Sequence, residues 1–79
     1  RDQATAVVSL LRALVEHYHA RPAAMAAAFD GEAVGDPGSP EALRRAVTYV
    51  GGMTDRFACR QGVALLGWDA ARLPQGIGT

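Results

Sequence analysis

The chain has 79 residues and equal numbers of acidic and basic side chains, eight of each, so its formal net charge at pH 7 is zero. Sixteen residues are alanine, the eight basic side chains are all arginine, and both lysine and asparagine are absent. This composition excludes a phosphate loop or a Schiff base built on lysine, excludes N-glycosylation, and argues against a basic surface for nucleic acid or an anionic membrane.

The first predicted element is an amphipathic helix over residues 4–20. Its apolar residues recur with the spacing of one helical face, at Val7, Val8, Leu11, Leu14, Val15 and Tyr18. The dipeptide Arg21-Pro22 ends this helix, because the residue before a proline is disfavoured in the helical region. Since proline suits a first helical position, we predict a second, short and alanine-rich helix over residues 22–29.

Residues 30–39 are predicted to form a loop, because glycine, proline and aspartate dominate the string DGEAVGDPG. Ser39-Pro40-Glu41 then predicts a helix start, with serine as N-cap, proline at the first helical position and an acid in the first turn. One apolar face continues from there through Leu43, Val47, Val50, Thr54 and Phe57. This spacing predicts one long helix over residues 40–60, and the pair Gly51-Gly52 marks either a kink or a close approach of another backbone.

The remaining chain is predicted to hold a turn or short helix at residues 63–67 and an irregular tail at residues 68–79. No segment has the pattern of a strand. The predicted fold class is therefore all-α, a small helical hairpin or bundle of two main helices and a short one. We expect residues 1–79 to form a single piece.

Cysteine usage and hydropathy bear on the compartment. Cys59 is the single cysteine, so a disulfide scaffold is excluded. No apolar run is long enough to cross a membrane, and the first helix does not have the pattern of a signal peptide. We expect a cytoplasmic protein with no membrane partner.

The residues offer little chemistry of their own. His17 and His19 are separated by about 200 degrees on a helix, so they do not share a metal ion. The motif Glu16-x-x-His19 occurs once, whereas di-iron bundles need two copies, so it does not predict a di-iron site. No histidine shares a predicted helix with Cys59, which is interpreted as a packed thiol. We expect no catalytic residue, no metal ligand and no cofactor in this chain.

One string is more specific. The sequence VTYVGGMTDRFA, at residues 47–58, resembles the C-terminal signature of the deoxynucleoside triphosphate triphosphohydrolases, bacterial dGTPase-like proteins of the HD superfamily. The preceding helix and its proline-containing end are similar to the family's too. Two positions depart from the usual pattern, Thr48 where the family has Asp and Gly51 where it has Ala. A histidine that often follows the signature is missing.

The resemblance implies that the chain is the C-terminal part of a larger HD-type helical protein. Such enzymes cleave a dNTP to a deoxynucleoside and triphosphate, with a divalent metal of the Mg or Mn class held by an H…HD…D set. The chain contains no His-Asp dipeptide. We therefore expect the catalytic HD region upstream of Arg1, expect Arg1 to mark a cut, and expect this segment to be inactive alone.

The resemblance also implies roles for the signature positions. They are Tyr49, Met53, Thr54, Asp55, Arg56 and Phe57. One hypothesis is structural: Val50, Phe57 and the apolar stripe of the first helix cover the HD core, and Gly51-Gly52 allows close packing. The apolar faces of the first helix and of residues 40–60 are wider than they can bury against each other, so we also expect self-association. A second places Tyr49, Asp55 or Arg56 at the substrate pocket or at a subunit interface. A third is that the chain is a free-standing helical protein-interaction module, with Trp68 and residues 22–29 facing the partner.

Overall fold

The computed structural model of the protein describes the backbone of residues 2–69 and the side chains of residues 5–69. These residues contain four helices and no strand, so the predicted all-α class is confirmed. The helices are α1 (Asp2–Ala20), a 3-10 helix (Pro22–Phe29), α2 (Pro40–Gly51) and α3 (Asp55–Leu66).

The helix start predicted at Ser39 is present. The Ser39 side chain accepts a hydrogen bond of 3.0 Å from the amide of Ala42, Pro40 is the first residue of α2, and Glu41 lies in its first turn. Serine satisfies one of the amide groups that have no partner inside the helix, and the acid complements the helix dipole. The local sequence therefore sets where α2 begins.

The prediction of one continuous helix over residues 40–60 is wrong, and the interruption falls at the pair Gly51-Gly52 where a kink was one of the two alternatives. α2 ends at Gly51, and α3 begins at Asp55 after Thr54, whose backbone is extended at φ −72 and ψ 159. The Thr54 hydroxyl accepts a hydrogen bond of 3.1 Å from the amide of Phe57, so threonine acts as the N-cap of a new helix. Two consecutive glycines weaken the preceding helix, and the cap stabilises the break.

Two further boundaries differ from the prediction. The turn predicted at residues 63–67 is the last part of α3, which ends where Gly67 adopts the left-handed conformation at φ 71. The amide of Trp68 then donates to the carbonyl of Gly62 at 3.1 Å, a bond that closes the helix end. Residues 68 and 69 are not helical, as predicted for the tail over residues 68–79, and residues 70–79 lie outside the described part of the chain.

The chain divides into two compact units, each described here by itself. Among the described residues, the terminal unit comprises 2–14 and 53–69, and the central unit comprises Val15–Gly52. In the terminal unit, Leu10 is 2 % exposed and α3 presents Gly62 to it. A Cβ on Gly62 would lie 2.5 Å from Leu10 Cδ1, so the absence of a side chain permits the close contact.

Small residues line the core of the central unit. Tyr18 and Met25 are almost completely buried, and α2 contributes Ala42, Ala46 and Val50 to the buried set. The predicted inward face of α2 is therefore wrong except at Val50. The largest buried side chains of this unit are Tyr18 and Met25, and close packing around large side chains favours small residues such as alanine.

The outer faces of the helices carry the larger apolar residues that the sequence had placed inside. Leu43 and Val47 on α2 are 42 % and 54 % exposed, and Val8 on α1 is 59 % exposed. On α1 the buried residues are Leu10, Leu14 and Tyr18. Leu14 and Tyr18 belong to the predicted stripe, whereas Val8 and Leu11 of that stripe are exposed and Leu10 was not part of it. Both helices thus have a second apolar stripe that the described residues do not cover.

Candidate functional site

The first of the signature residues, Tyr49, belongs to an aromatic cluster in the central unit. Its ring meets Tyr18 edge-on with 4.9 Å between ring centroids, and Phe29 lies 6.4 Å away with tilted geometry. Burial, followed by the neighbouring Tyr18, raises the pKa of Tyr49 above its ordinary value. Edge-to-face pairs of this kind stabilise a fold by about 1 kcal/mol beyond the area they bury. The ring of Tyr49 therefore packs within the central unit.

Arg45 completes this cluster and was not singled out in the sequence. Its guanidinium carbon lies 4.9 Å from the centroid of Phe29, which is a cation-π distance. The same guanidinium pairs with Glu41 at 3.1 Å and with Glu32 at 3.0 Å. The four-residue spacing from Glu41 to Arg45 was a sequence signal for the first pair, but the contact with Glu32 depends on how the 30–39 loop folds. Arg45 thereby holds that loop against α2.

The other signature residues lie at the N-terminus of α3. Thr54 is the N-cap, Asp55 is the first helical residue, and an acid at this position is favoured by the helix dipole. Met53 is half-buried, and Arg56 is exposed. Phe57 is 37 % exposed in this chain. Thr54 and Asp55 thus start a helix whose exposed side presents Arg56 and Phe57.

Cys59 does not have the environment of an activated nucleophile. Its side chain is half-buried, and burial, followed by the negative charge of Asp55, raises the pKa of the thiol. A catalytic cysteine needs the opposite shift, because the thiolate is the reactive form. Its setting is that of a packed, protonated thiol.

The two histidines have separate surroundings. His19 donates a hydrogen bond of 3.0 Å from Nε2 to the carbonyl of Ser39, and the amide of Gly38 donates to the carbonyl of His19 at 2.8 Å. His17 packs edge-on against Tyr18, and burial together with the charge of Arg21 lowers its pKa. His19 therefore links the end of α1 to the start of α2.

Two broader surveys cover the described residues only. Among residues 2–69, no set of three or more His, Cys, Asp and Glu side chains is grouped so that it could hold a metal ion. None of the helices in the same range combines the length and apolar character needed to cross a membrane.

Comparison with known proteins identifies the family. Neither the curated proteins nor the solved structures include a significant match to the chain. The sequence model of one family, described as a phosphohydrolase-associated domain (HD_assoc), matches residues 1–62. This range contains α1, the 3-10 helix, α2 and the signature string. Because the match covers most of the 79 residues, the chain belongs to the HD phosphohydrolase-associated domain family.

Proposed function

We propose that this chain is the C-terminal accessory segment of a bacterial deoxynucleoside triphosphate triphosphohydrolase. In this proposal a separate HD region of the same cytoplasmic protein carries out the hydrolysis of a dNTP to a deoxynucleoside and triphosphate. The present segment packs on that region and promotes self-association, and it has no activity alone. The segment contacts a dNTP substrate only as part of the parent enzyme.

The observation that carries the proposal is the signature string inside the family match. Residues 47–58 resemble the dGTPase-like pattern in register, and they lie within residues 1–62, which match the phosphohydrolase-associated family. The family match supports an association with a phosphohydrolase. The resemblance of residues 47–58 favours, among phosphohydrolases, those that act on a dNTP. Val47 and Phe57 are 54 % and 37 % exposed, so apolar signature residues are open to contact with another region.

The described residues do not fit a hydrolytic metal site. Such a site takes several His, Asp or Glu ligands in one place, and residues 2–69 offer no such group. The proposal therefore assigns the divalent metal, of the Mg or Mn class, to the HD region. No step of the reaction is assigned to the segment.

Arg56 is the signature residue best suited to a direct role. It is exposed on α3, and its planar guanidinium presents a fork of donors that suits a triphosphate or an acidic subunit surface. In the parent enzyme, we expect Arg56→Ala to lower kcat/KM for dGTP by about tenfold or more, a loss of ~1.4 kcal/mol in transition-state stabilisation. Arg56→Lys should recover only part, since lysine keeps the charge without the fork. Arg12→Ala, at another exposed arginine, is the control. If Arg56→Ala matches wild type in turnover, nucleotide affinity and oligomer size, this role is refuted.

The principal test uses the encoding gene and a triphosphate assay. We expect the reading frame to encode an H…HD…D set ahead of this segment. We also expect dGTP with Mg²⁺ or Mn²⁺ to release triphosphate with the parent protein and not with the 79-residue chain. Turnover by the chain alone would contradict the proposal. A reading frame without an HD set would favour the free-standing helical interaction module.

A further inference from the structure

We propose that the first half of the 30–39 loop is an electrostatic strap, which Arg45 latches to α2 and which opens by itself while the second half of the loop stays attached to α1. The strap comprises residues 30–35, and its contacts lie within the central unit. The inference concerns a movement of the loop and does not depend on the proposed enzymatic role.

The loop has little buried surface to hold it in place. None of residues 30–39 is buried, and residues 30–33 are all exposed. A segment with few buried apolar contacts and solvent-exposed hydrogen bonds opens at a lower free energy than the helices around it. The attachment of this loop therefore depends on the individual polar contacts of its two halves.

In the first half, the attachment is an ion pair centred on one side chain. Arg45 Nη1 donates to Glu32 Oε1 at 3.0 Å, and the glutamate side chain is 66 % exposed. The guanidinium is held in place from two other sides, by Glu41 at 3.1 Å and by the ring of Phe29 at 4.9 Å. An ion pair with so exposed a partner is weak and is screened by salt, so Glu32 can be released while Arg45 stays where it is.

In the second half, the attachment uses neutral groups. His19 Nε2 donates to the carbonyl of Ser39 at 3.0 Å, and the amide of Gly38 donates to the carbonyl of His19 at 2.8 Å. Neither bond requires an ionised group, so salt that screens the ion pair leaves both bonds in place. The two halves of the loop are thus held by different forces, which makes the opening one-sided.

Opening of the strap uncovers the start of α2. A Cβ on Gly35 would lie 2.7 Å from the backbone nitrogen of Ala42, so the strap lies directly on the first turn of this helix. The bond of 3.0 Å from the Ala42 amide to Ser39 Oγ belongs to the second half of the loop. Release of Glu32 therefore exposes the first turn of α2 without removing its N-cap.

Amide hydrogen exchange, measured by NMR on the full chain, tests this asymmetry. The amide of Glu32 donates to the carbonyl of Phe29 at 2.9 Å and reports on the strap, while the amide of Gly38 reports on the second half. Raising NaCl from about 0.1 to 1 M shortens the Debye length from about 10 to 3 Å. At constant neutral pH, and relative to intrinsic exchange rates, the Glu32 amide should exchange about two- to fivefold faster in high salt. The Gly38 amide should not respond.

The matched variants are Arg45→Gln and Arg44→Gln. Both remove one of two adjacent arginines that pair with Glu41, but it is Arg45 that also reaches Glu32 and Phe29. Arg45→Gln should speed exchange of the Glu32 amide about threefold or more and abolish its salt response, whereas Arg44→Gln should leave both unchanged. Glu32→Gln should also abolish the salt response, and this exposed position keeps the test valid if Arg45→Gln disturbs α2. Far-UV circular dichroism checks that each variant is folded.

Three outcomes would overturn the proposal. Equal salt responses of the Glu32 and Gly38 amides would show that the loop opens as one piece. Exchange of the Glu32 amide that salt and Glu32→Gln both leave unchanged would show that the ion pair does not hold the strap. Equal effects of Arg44→Gln and Arg45→Gln would place the latch elsewhere on α2.

Discussion

Replacing Gly35 by alanine should destabilise the central unit far more than the same change at Gly31. Both glycines lie in the 30–39 loop with positive φ, at +88 for Gly35 and +90 for Gly31. Alanine is strained in this region, at a cost of about 1–2 kcal/mol. The two positions differ in their neighbours. A Cβ on Gly31 meets nothing within 4 Å, whereas a Cβ on Gly35 would lie 2.7 Å from the backbone nitrogen of Ala42 and 2.9 Å from Ser39 Oγ.

The magnitude follows from these contacts. At Gly31 the strain is offset by about 0.5 kcal/mol, because alanine also restricts the unfolded chain, which leaves a net loss of about 1 kcal/mol. At Gly35 the new methyl group also pushes apart the Ser39 hydroxyl and the Ala42 amide, whose hydrogen bond caps α2. An N-cap contributes about 1 kcal/mol, so the loss at Gly35 should reach roughly 2–3 kcal/mol. A domain of this size has only about 3–5 kcal/mol of stability in total.

Urea and thermal unfolding followed by circular dichroism would measure both variants. For a domain of this length, 1 kcal/mol corresponds to about 4–8 °C in Tm. The two variants differ by about 1–2 kcal/mol, so Gly35→Ala should lower Tm by roughly 4–16 °C more than Gly31→Ala does. Equal losses in the two variants would refute the reasoning, because they would show that the contact with the start of α2 has no energetic weight. If neither variant loses stability, the positive φ values themselves are refuted.

Three further predictions concern single side chains. Thr54→Ala removes the N-cap of α3 and should lower the free energy of unfolding by about 1 kcal/mol. The control is Thr48→Ala, at an exposed position inside α2, which should change the free energy of unfolding little. Equal effects of the two substitutions would contradict the capping role. The raised pKa of Cys59 means that its stabilising contribution is present at neutral pH and is lost as pH rises above 9.0, the ordinary value, so Cys59→Ser should reduce alkaline destabilisation in urea titrations. An identical pH profile for the serine variant would refute this. The pKa of His17 is lowered, so its stabilising contribution is present above pH 6.5 and is lost as pH falls. His17→Gln should therefore reduce the loss of stability at acid pH. An NMR titration of His17 with a midpoint above 6.5 would contradict this prediction.

Local signals in the sequence determined where most helices begin and end. Ser39-Pro40-Glu41 predicted the start of α2, and Arg21-Pro22 predicted the end of α1, because capping and proline geometry depend on few neighbouring atoms. The break before α3 had a signal of the same kind. Thr54 followed by an acid is a helix start, but the apolar spacing that continues to Phe57 concealed it.

The inward face of α2 could not be chosen from spacing alone. Two stripes fit a helical period, one through Ala42 and Ala46 and one through Leu43 and Val47, and both continue to the buried Val50. Hydrophobicity favours the second stripe. The structure buries the first stripe, in a core whose largest side chains are Tyr18 and Met25. The volume left beside large side chains is known only once the chain is folded.

Only part of the candidate site could be predicted from the sequence. The string at residues 47–58 was visible in the sequence and lies within the family match. The contacts around Tyr49 were not visible, because Tyr18 and Phe29 are separated from it by many residues and approach only through the fold. The predicted roles of the signature residues in substrate binding remain predictions.

The two hydrogen bonds that join His19 to residues 38 and 39 have a consequence for the order of folding. They close a loop between positions 20 residues apart. The chain that leaves the end of α1 therefore returns to that end of α1 before α2 begins. Closing so short a loop costs little chain entropy, and structures rich in such local contacts fold quickly. We therefore expect the central unit to form early, while its chain is still growing, and to present a finished α2 before α3 has been synthesised.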